Sequence, residues 1–138
     1  MLRDAKASSP SRPKIEAPKY KTDWQWKWPL KGSVVESFDL GKSRKGIRVK
    51  NESSKQINPA APGNVVYAGS GLRGYGNLVI IKHSDKVLSA YANNEDILVE
   101  VGQSITQADP ISNLNENQIV YFEIRRDGSP VDPLQFLK

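Results

Sequence analysis

A succession of short segments rich in β-branched and aromatic residues constrains this fold more than any other feature. The six segments are Ser33–Phe38, Gly46–Lys50, Asn64–Gly69, Leu78–His83, Val87–Ala92 and Gln118–Arg125. Gly, Pro, Asn and Asp bound them, and a helical period is absent apart from one turn expected near Asn93–Leu98. A chain of 138 residues suits one ordinary domain. The pattern predicts a single compact all-β domain built on an antiparallel sheet.

The segment Leu78–Ala92 predicts a hairpin that turns at Ser84–Lys86. Its first arm is apolar on both faces, which is typical of a central strand. In the last segment, alternation places three large apolar side chains on one face of a strand, and that face is predicted to join the core. These are Val120, Phe122 and Ile124. The opposite face carries mixed side chains suited to a cleft, namely Ile119, Tyr121, Glu123 and Arg125.

The start of the chain differs in composition from the rest. Residues 1–23 are rich in Lys, Pro, Ser and Ala, which predicts a flexible basic linker or tail. The residues Trp24, Trp26 and Trp28 then alternate as in an entering strand, so the domain is expected to span residues 24–138.

The formal net charge of +5 is concentrated near the start of the chain. Residues 1–31 contain eight basic and three acidic side chains, and the remaining 107 residues contain twelve of each. Residues 32–138, most of the expected domain, are therefore neutral overall, which argues against nucleic acid as the partner. No run of residues is long and apolar enough to span a bilayer.

Two counts limit the chemistry of the chain. The sequence contains no cysteine, which excludes disulfides, thiolate zinc ligands and thiol nucleophiles without fixing the compartment. His83 is the only histidine, and its place beside a hairpin turn favours a structural, hydrogen-bonded role over general-base catalysis. The segment Gly69–Gly74 matches G-x-G-x-x-G, but a predicted strand follows it where a dinucleotide site needs a helix, so we expect a glycine-rich turn.

The stretch "RKGIRVKN", Arg44–Asn51, concentrates basic side chains without an acidic residue. As a strand it places Arg44, Arg48 and Lys50 on one face. This face could bind nucleic acid, could simply be solvated, or could have replaced an earlier chemical site. The neutral charge of residues 32–138 argues against the first alternative.

The chain resembles the LytM (lysostaphin-type) zinc peptidase domain from Trp26 to Leu137. The resemblance rests on "KWPLKGSVVESF", "KGIRV", "GYGNLVIIKH" and "FEIRRDGSPVDP", in that order. In the sequences of these motifs, the chain most resembles the NlpD and EnvC type, whose LytM domains activate cell-wall amidases during daughter-cell separation. The resemblance implies a periplasmic or cell-envelope location, although residues 1–31 show no signal-peptide pattern.

The zinc ligands of active LytM peptidases are replaced in this chain. Their H-x-x-x-D motif falls on Arg44 and Arg48, and their H-x-H motif falls on Ile119 and Tyr121. A further family histidine falls on Asn93. A guanidinium has no lone pair to offer a metal, so we predict no metal, no cofactor and no peptidase activity.

The former metal site is therefore predicted to be a partner-binding groove. The expected groove residues are Arg44, Lys45, Arg48, Tyr75, Asn93, Ile119, Tyr121, Glu123 and Arg125. By resemblance, the partner is an N-acetylmuramoyl-L-alanine amidase, which this non-catalytic domain activates during septal peptidoglycan splitting. The alternative is a peptidoglycan-binding module that keeps the ancestral substrate groove without hydrolysis.

Overall fold

The computed structural model describes residues 24–52 and 55–137. The predicted basic linker, residues 1–23, lies outside the described residues, so its character and the domain boundary stay predictions.

The described residues form ten strands and two short 3-10 segments, and no α-helix is assigned among them. The strands are β1 (Gly32–Glu36), β2 (Ile47–Asn51), β3 (Gln56–Ile57), β4 (Gly63–Gly69), β5 (Asn77–Lys82), β6 (Val87–Ile97), β7 (Ser104–Ile105), β8 (Ser112–Leu114), β9 (Ile119–Arg126) and β10 (Ser129–Val131). The 3-10 segments are Leu40–Lys42 and Pro133–Gln135. The all-β prediction is confirmed.

The strands pair antiparallel in one open sheet. Its main path runs in the order β1-β2-β9-β6-β5-β4-β7. Strand β10 pairs with β9, whereas β8 pairs with both β3 and β6. Strand β5 lies between β6 and β4, which confirms that the first arm of the predicted hairpin is a central strand.

Two predictions about local structure are wrong. The helical turn expected near Asn93–Leu98 is absent because β6 continues to Ile97, where it pairs with β8. The segment that contains Trp24, Trp26 and Trp28 leads into the domain without forming the predicted strand. There the Lys27 N–H donates to the Ala60 carbonyl at 2.8 Å, and the Trp26 indole packs edge-on against Phe136 at 5.8 Å. Aromatic packing, rather than a strand ladder, organises this segment.

The hydrophobic core lies on one face of the central strands. Phe122 is opposite Ile47 and Val120 is opposite Val49 in the pairing of β9 with β2, and all four side chains are fully buried. Ile124 is also buried, which confirms the core face predicted for β9. Because side chains alternate along a strand, the intervening residues of β2 and β9 lie on the other face, where the candidate site is found.

His83 follows β5 and belongs to a buried chain of hydrogen bonds, which confirms its structural role. The Pro62 carbonyl can only accept, so His83 Nδ1 carries the proton and donates to it at 2.8 Å. His83 Nε2 therefore accepts from the Ser89 hydroxyl at 2.7 Å. Ser89 Oγ in turn lies 2.7 Å from the Tyr91 hydroxyl, which accepts from the Ala60 N–H at 2.8 Å.

This buried network predicts a stability change in mild acid. Burial lowers the pKa of His83 from 6.5 to about 4, and the Pro62 hydrogen bond offsets only part of that shift. As the pH falls below 6.5, His83 becomes protonated in the unfolded chain but stays neutral in the folded domain. We expect the free energy of unfolding to fall by roughly 2 kcal/mol between pH 7 and pH 5, measured by urea denaturation.

The single histidine also gives a direct check by NMR, because its ring resonances need no separation from others. The imidazole of the folded domain should stay neutral at pH 5. Titration of His83 near pH 6.5 in the folded state, together with a flat stability profile between pH 7 and pH 5, would contradict this account.

Candidate functional site

The candidate site lies on the face of the sheet opposite the core. Arg48 of β2 is directly opposite Tyr121 of β9, and Tyr121 is opposite Ala92 of β6. The Arg48 guanidinium lies over the Tyr121 ring, 5.0 Å from its centroid. Strand register therefore brings a cation and an aromatic ring together at two positions predicted from sequence.

A cavity of about 340 Å³ opens at this place. Five predicted groove residues line it, namely Lys45, Arg48, Tyr75, Asn93 and Tyr121. Glu123 and Arg125 line a second cavity of about 230 Å³, and Tyr75 borders both cavities. We call the two cavities together the groove.

Arg44 and Ile119 are not among the residues that line these two cavities. Strand β2 begins at Ile47, so Arg44 precedes the strand and does not occupy the predicted position four residues before Arg48 on it. Arg44 instead exchanges two backbone hydrogen bonds with Asp39, at 2.9 and 3.0 Å. Ile119 is half-buried at the start of β9, opposite Lys50.

Two further charged residues line the first cavity, Glu36 and Arg73, which were not predicted from the sequence. Glu36 lies between two arginines: Arg48 Nε is 3.4 Å from Glu36 Oε2, and Arg44 Nε is 4.0 Å from Oε1. Its strand pairs with β2 and places Glu36 opposite Arg48. The sequence signals that β1 and β2 are consecutive strands, but the register between them shifts between Val34 and Glu36, so the pairing of Glu36 with Arg48 could not be read from the alternation alone.

The Glu123 carboxylate forms the floor of the groove and is only 2% exposed. Its Oε2 accepts hydrogen bonds from the Tyr121 hydroxyl at 2.6 Å and from the Tyr75 hydroxyl at 3.1 Å. Its Oε1 accepts from Arg125 Nε at 2.9 Å. The buried charge is thus paired with a cation and two phenols, which is the condition for tolerating a carboxylate at such depth.

Both phenols are held in the protonated state that this network requires. Burial raises the pKa of Tyr121 above its usual value, and the hydrogen bond and charge of Glu123 raise it further. Burial and the charge of Glu123 also raise the pKa of Tyr75. Tyr75 and Tyr121 therefore act as donors toward Glu123 and remain neutral throughout the physiological range of pH.

The loop before β5 places Tyr75 beside Tyr121, with ring centroids 6.0 Å apart. Gly74 and Gly76 have φ values of 91° and 64°, which glycine adopts without strain. Asn93 has φ 69°, and its N–H donates to the Tyr75 carbonyl at 3.3 Å. Strand β5 follows this loop, which confirms a glycine-rich turn in place of a dinucleotide site.

The residues of the groove do not fit zinc. Zinc in proteins takes thiolate, imidazole or carboxylate ligands. The guanidiniums of Arg44 and Arg48 flank Glu36, while Tyr121 donates its hydroxyl proton to Glu123. Across residues 24–52 and 55–137, no group of three or more His, Cys, Asp or Glu side chains is placed to hold a metal ion.

Comparison with known proteins decides the family. The family model described as "Peptidase family M23" matches residues 42–133, two thirds of the sequence. The chain belongs to peptidase family M23. The matched residues include all the predicted groove residues and the motifs "KGIRV", "GYGNLVIIKH" and "FEIRRDGSPVDP", so the resemblance seen in the sequence is confirmed.

Curated relatives share this domain. The "Lipoprotein NlpD/LppB homolog" of Pseudomonas aeruginosa is 44% identical over 117 residues, covering 81% of this chain and 39% of that protein. The "Murein hydrolase activator NlpD" of Escherichia coli is 42% identical over 117 residues, covering 81% of this chain and 31% of that protein. The chain thus matches about a third of the length of these relatives.

Solved structures share the fold. The solution structure of lysostaphin superposes with a TM-score of 0.69 at 16% identity, covering 81% of this chain and 52% of the other. This confirms the predicted lysostaphin-type architecture of the M23 domain. In the part of the chain that the structure describes, no helix is long and apolar enough to cross a membrane.

The floor of the groove yields a stability prediction. Replacing Glu123 by Gln removes the negative charge that accepts three hydrogen bonds. The glutamine NH₂ group, itself a donor, would then face a donor that the carboxylate oxygen accepted from. We expect Glu123→Gln to lower the free energy of unfolding by about 2 kcal/mol in urea denaturation at pH 7.

Glu116 provides a matched control, since it is exposed in the turn before β9. Glu116→Gln should change stability by less than about 0.5 kcal/mol. Equal stability of Glu123→Gln and the wild-type protein would show that the hydrogen-bonded carboxylate does not hold the groove together.

Proposed function

We propose that the M23 domain is a non-catalytic regulator that binds and activates an N-acetylmuramoyl-L-alanine amidase. The proposal places this activity in the periplasm, during septal peptidoglycan splitting and daughter-cell separation. It assigns binding to residues 24–138 and treats residues 1–23 as a basic linker. The relative named a murein hydrolase activator supports the role in cell-wall hydrolysis, and the amidase as partner is our inference.

The observation that carries the proposal is the network around Glu123. Hydrolysis by a zinc peptidase requires a metal that activates water. The positions that match the family's zinc ligands hold Arg44, Arg48 and Tyr121. The Glu123 carboxylate is fully engaged by Tyr75, Tyr121 and Arg125, so it is not available as a general base. A groove whose buried carboxylate is held by three hydrogen bonds, and which has no residues suited to hold a catalytic zinc, is suited to binding.

The charge of the groove indicates the chemistry of its partner. Lys45, Arg48 and Arg73 border the first cavity, where Glu36 is the only carboxylate among the described lining residues. A partner segment with acidic side chains would therefore find complementary charge there. Arginine and tyrosine are enriched among the residues that contribute most to protein interfaces. An acidic segment of an amidase satisfies these requirements.

The proposal is tested by dye release from stained cell walls, with the protein alone and then with each amidase of the same genome. We expect no release by the protein alone and stimulation of at least one amidase. Arg48→Ala and Tyr121→Ala should each reduce stimulation about tenfold or more at limiting protein, as expected for a contact contributing ~2 kcal/mol. Circular dichroism should show that each variant remains folded.

Lys50→Ala is the matched control, because Lys50 lies two residues beyond Arg48 on β2 and is exposed outside the two cavities. It should stimulate within about twofold of the wild-type protein. Dye release by the protein alone with stoichiometric zinc would overturn the proposal. Co-sedimentation with purified sacculi without stimulation of any amidase would favour a peptidoglycan-binding module instead.

A further inference from the structure

The second cavity differs from the first in the character of its walls. Five apolar side chains line it, namely Leu72, Leu78, Ile80, Leu88 and Ala90. Its volume of about 230 Å³ is of the order needed for one large side chain rather than an extended ligand. Leu72, at its rim, is 44% exposed.

Strand alternation explains why these side chains lie outside the core. Along β5, Val79 and Ile81 are fully buried on the core face, so Leu78 and Ile80 point to the opposite face. Ala90 of β6 lies opposite Ile80. Its small side chain leaves space between its larger neighbours. Strand β5 is therefore apolar on both faces because one face packs in the core and the other lines this cavity.

The apolar cavity lies beside the basic cavity and shares a wall with it. Tyr75 lines both cavities, and its hydroxyl donates to Glu123 at 3.1 Å. Arg125 also lines the apolar cavity, and its side chain is 31% exposed. An apolar pocket is thus bordered by a cation and lies next to Lys45, Arg48 and Arg73.

We infer that the second cavity is the anchor site of the proposed amidase interface. It takes one aliphatic or aromatic side chain from a partner segment whose neighbouring residues are acidic and face the basic cavity. Charge complementarity and the shared Tyr75 wall favour this occupant over a purely apolar ligand. This inference rests on the proposed function and adds to it the chemistry of the segment that binds.

Binding of the stimulated amidase is measured by isothermal titration calorimetry with variants of the cavity. Leu72→Ser removes an apolar wall, and Ala90→Phe fills the space from β6. Each variant should weaken binding about tenfold. Leu98→Ser is the matched control, since Leu98 is 50% exposed and lies outside both cavities, and it should bind within about twofold of the wild-type protein.

Failure of this inference can be distinguished from failure of the proposed function. If the wild-type domain binds no amidase, the proposed function fails. If it binds and Arg48→Ala weakens binding, while Leu72→Ser and Ala90→Phe bind like the wild-type protein, only the anchor site is refuted. Should Ala90→Phe not fold, the exposed Leu72→Ser variant still decides the question.

The chemistry of the partner segment is tested by photo-crosslinking. With p-benzoylphenylalanine in place of Leu72, mass spectrometry of the crosslinked amidase should identify a segment that contains an apolar residue flanked by Asp or Glu. The same probe in place of Leu98 serves as the control and should give no such product. A crosslinked segment without acidic residues would overturn the inference.

Discussion

The hydrogen-bonded burial of the Glu123 carboxylate is the interaction on which the groove depends. A carboxylate at this depth needs donors, and Tyr121, Tyr75 and Arg125 supply them from β9 and from the loop before β5. Gly46, just before β2, packs closely on the same residue, since a Cβ there would lie 2.8 Å from Glu123 Cγ and collide with the Phe122 carbonyl. The buried carboxylate thus connects β9 to the loop before β5, and the chain before β2 packs against it.

Much of this site could be predicted because β9 alternates strictly. A period of two separated Phe122 from Tyr121 and Glu123, and the structure places them on opposite faces. Register across strands was not predictable in the same way. Glu36 reaches Arg48 only because β1 pairs with β2 at that position, and the length of β6 depends on its pairing with the short strand β8. Such pairings depend on contacts distant in sequence, which local patterns do not encode.

The electrostatics of the groove are reversed relative to a zinc site. A metal centre gathers neutral or anionic ligands around a cation. In this groove the cations are side chains, and the carboxylates of Glu36 and Glu123 compensate them. The compensation is unequal: Glu123 is buried and paired, whereas Arg48 keeps about two fifths of its side-chain surface exposed. The groove therefore keeps positive charge available at its surface.

A fixed floor with exposed cations has a thermodynamic consequence for binding. Association costs free energy when side chains must be ordered, so residues that are already held lose less on forming a complex. Tyr75 and Tyr121 are held by Glu123, and the guanidinium of Arg48 lies over the Tyr121 ring. The aromatic surface is thereby positioned before a partner arrives. The hydrogen bonds of Glu123 thus order the aromatic surface of the groove, which lowers the free-energy cost of binding the protein partner that we propose.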